Sequence, residues 1–196
     1  IPQNSSMQAN VIYTSQTDVI EQQVKAARQL ADFVVVGVHW GVENSHAIAD
    51  PQRTLAQNLA DWGADLIIGT HPHVLQNAQW LTAADGRQVF TAYSLGNFIS
   101  TQEKPDQLIG AILSVQLEKT TELDGTVRCS VLSPRLLPTV THYDAGKSNV
   151  RTYLFRDYTE ALTKAHGVRQ AYPDFSLEMI QSIARENIDP ELLQLT

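Results

Sequence analysis

The chain has 196 residues, 43% of them apolar and 18% charged; it is one ordinary domain with enough length to bury a core, neither disordered nor fibrous. A formal net charge of -7 leaves no basic face for a nucleic acid, and any polyanionic ligand has to be held by local positive charge such as a metal or a few arginines. No apolar run reaches the ~20 residues of a membrane-spanning helix and no signal peptide is visible. The single cysteine, Cys129, cannot form an internal disulfide and is expected to be buried as a small apolar residue.

The chain opens Ile1-Pro2 without an initiator methionine, so we expect a piece of a longer translation product. Residues 1–10 are rich in Gln, Asn and Ser and read as a loose lead-in, with a short strand at Asn10–Thr14. Asp18 and Glu21 have the spacing of a reciprocal cap, and Ile20, Val24, Ala27 and Ala31 recur at helical spacing, which predicts a helix over about 18–31. It feeds Phe33–Val38, a fully apolar strand that ends in His39-Trp40-Gly41-Val42-Glu43. Asp50-Pro51 supplies an N-cap acid and a first-turn proline, Leu55, Leu59 and Trp62 make the apolar stripe, and Gly63 stops a helix over about 51–62. Leu66-Ile67-Ile68 is a second buried strand, bounded by Gly69. Helix, strand, helix and strand with short links make a right-handed parallel βαβ unit the default.

Gln76–Thr82 and Arg87–Tyr93 flank Ala84-Asp85-Gly86, a strong hairpin turn, and Leu108–Leu117 and Thr126–Leu137 flank a second turn at Glu122–Gly125. The middle of the chain therefore reads as antiparallel. Val150–Phe155 is a further strand, Asp157 with Glu160 caps a helix ending near Gly167, Leu177, Ile180, Ile183 and Ala184 stripe another, and Asp189-Pro190 begins a short last one. These helices, about 157–195, show no chemical cluster and are expected to serve packing or partner contact. The fold class is α/β: a parallel βαβ core plus antiparallel hairpins and C-terminal helices, in a single domain over 1–196.

Chemistry concentrates at the two strand tips, which hold three of the six histidines: His39, His71 and His73. Ligands gather at the carboxyl ends of parallel strands. In extended backbone residues two apart point the same way, and Pro72 pushes His71 toward that geometry, so the two imidazoles should converge. Histidine and carboxylate donors without cysteine suit Zn, Mn or Fe and hydrolytic chemistry. Glu43 is a possible carboxylate and His46 a weaker extra. Asp65 starts its strand and belongs to the far end. That inventory falls short of a complete two-metal centre.

The segments His39-Trp40-Gly41-x-Glu43, Gly69-Thr70-His71-Pro72-His73-Val74 and Tyr93-Ser94-Leu95-Gly96-Asn97-Phe98 resemble the later motifs of the CapA-type poly-γ-glutamate capsule-biosynthesis family, itself similar in fold to calcineurin-like metallophosphoesterases. The match covers about residues 30–100. By that resemblance His39 and His71 bind one divalent metal ion and His73 the other, with Glu43 and Asn97 near the site in unassigned roles. The family's earlier motifs (a Gly-Asp, an Asn-Leu-Glu and an Asn-His pair) do not occur here. The resemblance therefore implies the C-terminal half of a CapA-like domain, half of a four-layer metallophosphoesterase-like sandwich, with an incomplete metal site and no activity in isolation. It further implies a hydrolase or phosphoesterase of capsule metabolism in the intact protein, extracytoplasmic and membrane-anchored. The alternative is a non-catalytic surface accessory that binds or tethers an anionic envelope polymer, or joins other capsule-synthesis components, with Arg53, Arg87 and Lys104 as candidate local positive charge.

Overall fold

A computed structural model describes residues 11–196. The lead-in at 1–10 and the start of the strand expected at Asn10–Thr14 lie outside the described residues, and residues 11–14 form no strand. Helix α1 (Thr17–Leu30), strand β1 (Val35–His39), helix α2 (Asp50–Trp62) and strand β2 (Leu66–Thr70) follow in order. β1 and β2 pair in parallel from Val35↔Leu66 to His39↔Thr70. This is the expected βαβ unit.

β3 (Leu75–Thr82) and β4 (Gln88–Leu95) form the first hairpin. β4 also pairs in parallel with β2, through Leu66↔Phe90, Ile67↔Thr91 and Ile68↔Ala92. The sheet order is therefore β1-β2-β4-β3, and the middle of the chain is not wholly antiparallel as its turns suggested. The cause lies in β4 itself. Val89 to Ser94 are buried without interruption, and a strand with no polar face is stable only with both faces covered, inside a sheet. A second, antiparallel sheet follows in the order β5 (Ile109–Thr121), β6 (Val127–Asp144), β7 (Ser148–Leu154). β5 outruns its expected end because pairing continues to Thr121↔Val127 at the exposed hairpin tip, and β6 runs on to Asp144 because it also pairs with β7, from Thr139↔Leu154 to Asp144↔Ser148.

Helices α3 (Glu160–Ala165) and α4 (Leu177–Asn187) complete the chain. Several cap assignments change. α1 starts after Gln16 with no side-chain cap, and Asp18 sits in the first turn, where a carboxylate favours the positive end of the helix dipole. α2 is capped at Ala49, whose N–H donates to Gln52 Oε1 at 3.0 Å, so Asp50 falls inside the first turn. Thr159, not Asp157, caps α3, its hydroxyl accepting from Leu162 N–H. The helix expected at Asp189-Pro190 is a single turn, because the chain then joins β6: Leu136 N–H donates to Leu192 O at 2.8 Å and Gln194 N–H to Leu136 O at 2.9 Å.

The central strands β2 and β4 are covered on both faces. Val24 of α1 and Leu55 and Leu59 of α2 pack on Ile67, Val89 and Tyr93. On the other face Leu66, Leu75 and Phe90 meet Ile109, Leu136 and Val140 of the second sheet and Ile180 of α4. Among the described residues β1 is an edge strand of this sheet, and its face at Val35, 50% exposed, and at Gly37, where an added Cβ would meet nothing within 4 Å, is uncovered.

Candidate metal centre

Parallel register puts His39 beside Thr70, so the chain leaves both strands at one point. The His39 and His71 rings are 4.5 Å apart and those of His71 and His73 6.0 Å. One donor atom each from Glu43, His71 and His73 lies within 4.8 Å of the others. The three strand-tip imidazoles are thus brought together, and Glu43, expected only nearby, stands among them. His39 flanks this triple through His71. His46 is turned away, its Nδ1 2.7 Å from Leu75 O and its Nε2 3.7 Å from Asp106. Asn97 stands behind His73, with Oδ1 2.9 Å from Nδ1 of the ring.

The route to convergence is not the extended backbone that the His-Pro-His spacing suggested. β2 stops at Thr70, and His71 and His73 take φ of 102° and 62°. Side chains rarely adopt positive φ, at a cost of order 1–3 kcal/mol each, and such residues persist only where their surroundings hold them. Here Trp40 N–H donates to Thr70 O at 3.1 Å and Asn44 N–H, itself at φ 61°, to Pro72 O at 2.8 Å. The loop after β1 and the loop after β2 hold each other.

Beneath this turn a glycine makes room. A Cβ at Gly69 would lie 2.0 Å from Tyr93 O and 2.4 Å from Trp40 Nε1. Without it, the buried Trp40 indole donates to Tyr93 O at 2.9 Å and stacks on the Tyr93 ring. The loop that carries Glu43 is pinned by glutamines. Gln76, 1% exposed, donates to Ser45 O and Ala47 O at 2.9 and 3.0 Å and accepts from Gln52 Nε2 at 2.8 Å. Sequence reasoning passed over both, because a lone Gln in a strand or helix reads as surface.

Partial desolvation lowers the pKa of His39, and the neighbouring His71 and His73 rings add to it. The neutral ring is the form with a lone pair to offer. Two imidazoles and a carboxylate are a donor set for Zn, Mn or Fe. Donors on one ion at ~2.0–2.1 Å stand roughly 3–4 Å apart, so the triple fits a cation after small side-chain adjustments.

Two other groups are set aside by their contacts. Arg87 is bound to Asp65, Asp85 and the carbonyls of Ala60 and Ala64, which leaves it no free charge for a polymer. His142 and His166, buried at 1% and 2% exposure, meet edge to face with centroids 4.8 Å apart and lie edge-on against Tyr158 and Phe175 respectively. His166 Nε2 donates to Thr141 O at 3.0 Å and its Nδ1 accepts from Val168 N–H at 3.0 Å. With both nitrogens engaged, this ring is core.

Residues 2–102 match the sequence model of the family described as bacterial capsule synthesis protein PGA_cap. The chain is similar to the PGA biosynthesis protein CapA of Bacillus subtilis (strain 168), 39% identical over 108 residues, which is 55% of this chain and 26% of that protein. It is also similar to the capsule biosynthesis protein CapA of Bacillus anthracis, 40% identical over 89 residues, 43% of this chain and 20% of that protein. The match thus spans about a quarter of the length of these curated relatives or less. Among the described residues no helix is long and apolar enough to cross a membrane.

Proposed function

This chain belongs to the bacterial capsule synthesis protein family, and from that premise we propose that it is the metal-bearing C-terminal part of a CapA-like domain that acts on poly-γ-glutamate or its precursors. Glu43, His71 and His73 hold one divalent cation and His39, beside His71, borders the position of a second. The observation that carries this reading is the grouping of one carboxylate and two imidazoles within 4.8 Å on a backbone held at positive φ. Strained side-chain positions clustered at strand tips are more often functional than incidental.

A bound cation would supply Lewis acidity and an activated water for hydrolytic attack on an ester. The chain's own residues orient the site: the lowered pKa of His39 favours the ring with a free lone pair, Trp40 and Gln76 fix the Glu43 loop, and Asn97 lies against His73. One carboxylate and three imidazoles are fewer donors than a two-ion centre needs, so the isolated chain is expected to bind metal and not to turn over substrate. The site belongs to an extracytoplasmic protein in this reading.

The test is metal content and zinc titration of the purified chain beside Glu43→Gln and His71→Ala. We expect about one ion per wild-type chain, held weakly by the incomplete site, and at least tenfold weaker binding in each variant. Equal uptake by all three rejects the site. For the intact protein, manganese-dependent phosphodiester hydrolysis that is equal in wild type and His71→Ala rejects the hydrolytic role.

A further inference from the structure

We propose that Asn97 is the positioning residue of this centre: it holds His73 in the tautomer protonated on Nδ1, leaving Nε2 as that ring's one lone pair for a cation. The inference rests on the metal-centre reading and adds the group that aims one of its ligands.

The amide leaves no choice of orientation. Asn97 Nδ2 lies 3.2 Å from His73 O, 2.7 Å from Gln102 Oε1 and 2.9 Å from Gln107 O. A flipped amide would set its oxygen against the two backbone carbonyls, where no hydrogen is available. Oδ1 therefore faces the ring, 2.9 Å from His73 Nδ1. An amide oxygen only accepts, so Nδ1 carries the hydrogen, and a neutral imidazole with a hydrogen on Nδ1 has its acceptor at Nε2.

The backbone is built to deliver this residue. β4 ends at Leu95, and Gly96, at φ 64°, bridges to Gly110 at the start of β5. A Cβ at Gly96 would lie 2.6 Å from Ile109 O, and one at Gly110 would lie 2.2 Å from Asn97 O. Glycine at both positions lets the two sheets cross closely enough to place Asn97 under His73. The amide also ties the ligand loops together. Gln107, whose carbonyl receives Asn97, donates its own Nε2 to Asn44 Oδ1, and Asn44 N–H donates to Pro72 O. The residue after Glu43 and the residue between His71 and His73 are thereby linked to Asn97.

Hydrogen-bond partners behind metal-bound histidines typically contribute 10–100-fold to metal affinity. Long-range proton–nitrogen NMR of the metal-free, histidine-labelled chain at mildly alkaline pH reads the tautomer, with the His73 signals assigned by their loss in His73→Gln. We expect the His73 proton on Nδ1 in wild type. In Asn97→Leu we expect the proton to move to Nε2 and Zn²⁺ affinity to fall roughly 10–100-fold. A wild-type His73 protonated on Nε2 overturns the proposal and needs no variant to fold. Lost Zn²⁺ affinity in Asn97→Leu with the tautomer unchanged marks a merely structural residue and overturns it too. A wild-type chain that takes up no Zn²⁺ removes the metal centre, and the proposal with it, in a separate measurement.

Discussion

Asp65 and Glu43 are carboxylates at opposite ends of the two histidine-bearing strands, and replacing each should break a different property. Asp65 is 4% exposed. Its Oδ2 accepts from Val34 N–H at 2.7 Å and Arg28 Nη1 at 2.6 Å, and its Oδ1 from Arg87 Nη1 at 3.2 Å. It stands at the start of β2, about 20 Å from His71 at ~3.3 Å per strand residue. Asp65→Ala strands the buried Val34 N–H, at about 1–3 kcal/mol, and removes two charge-assisted bonds worth about 1.5–3 kcal/mol each when shielded. Because Arg28 and Arg87 are 27% and 26% exposed, water recovers part of the second contribution. The expected loss is about 3–5 kcal/mol, the range for breaking a buried ion pair. Zn²⁺ affinity should not change. Glu43→Gln should do the reverse, leaving stability within ~0.5 kcal/mol and weakening Zn²⁺ at least tenfold. Urea unfolding followed by tryptophan fluorescence gives the midpoints at constant slope, and calorimetric titration gives the affinities. An unchanged midpoint in Asp65→Ala would refute the reasoning. So would a loss of Zn²⁺ binding in that variant without destabilisation, which would make Asp65 a ligand.

Burial holds the His166 pKa down at about 4, and the His142 ring adds to this against the raising effect of the Thr141 carbonyl. The folded state therefore resists a proton that the unfolded chain accepts, so stability is full above about pH 6.5 and falls by roughly 3 kcal/mol as pH drops toward 4. Urea midpoints across that window should show the slope, and His166→Phe should flatten it. Gly69→Ala should cost roughly 3 kcal/mol or more, since its Cβ would sit 2.0 Å from Tyr93 O, and it should alter the Trp40 emission. His71→Gly relieves a φ of 102°; metal-free stability should hold or rise by up to about 1 kcal/mol while Zn²⁺ binding is lost. A clear fall in its metal-free midpoint would mean that the turn is unstrained.

The parallel unit was legible because the Phe33 and Leu66 runs are apolar, short and punctuated by Gly63, Gly69 and Pro51. The meeting of His39 with His71 follows from that alone, since each is the residue at or just past a strand tip. What sets their geometry was not legible. No residue type announces the left-handed turn at His71 and His73, which depends on Asn44 reaching Pro72 across two loops. Glu43 enters the site because Gln76, far along the chain, holds Ser45 and Ala47. The helix expected at Asp189-Pro190 has sound local signals, yet pairing with Leu136 on β6 prevails. Local pattern named the parts, and long-range hydrogen bonds arranged them.

The bare edge of β1 has a consequence for how such a centre is finished. Among the described residues β1 pairs with β2 alone, which leaves one row of its N–H and C=O groups facing outward. A strand paired there in parallel, with the register of β2, would run ~4.8 Å from β1 and end level with His39. A parallel newcomer in that register would set its own tip residue on the far side of His39 from Thr70, which pairs with His39 in β2.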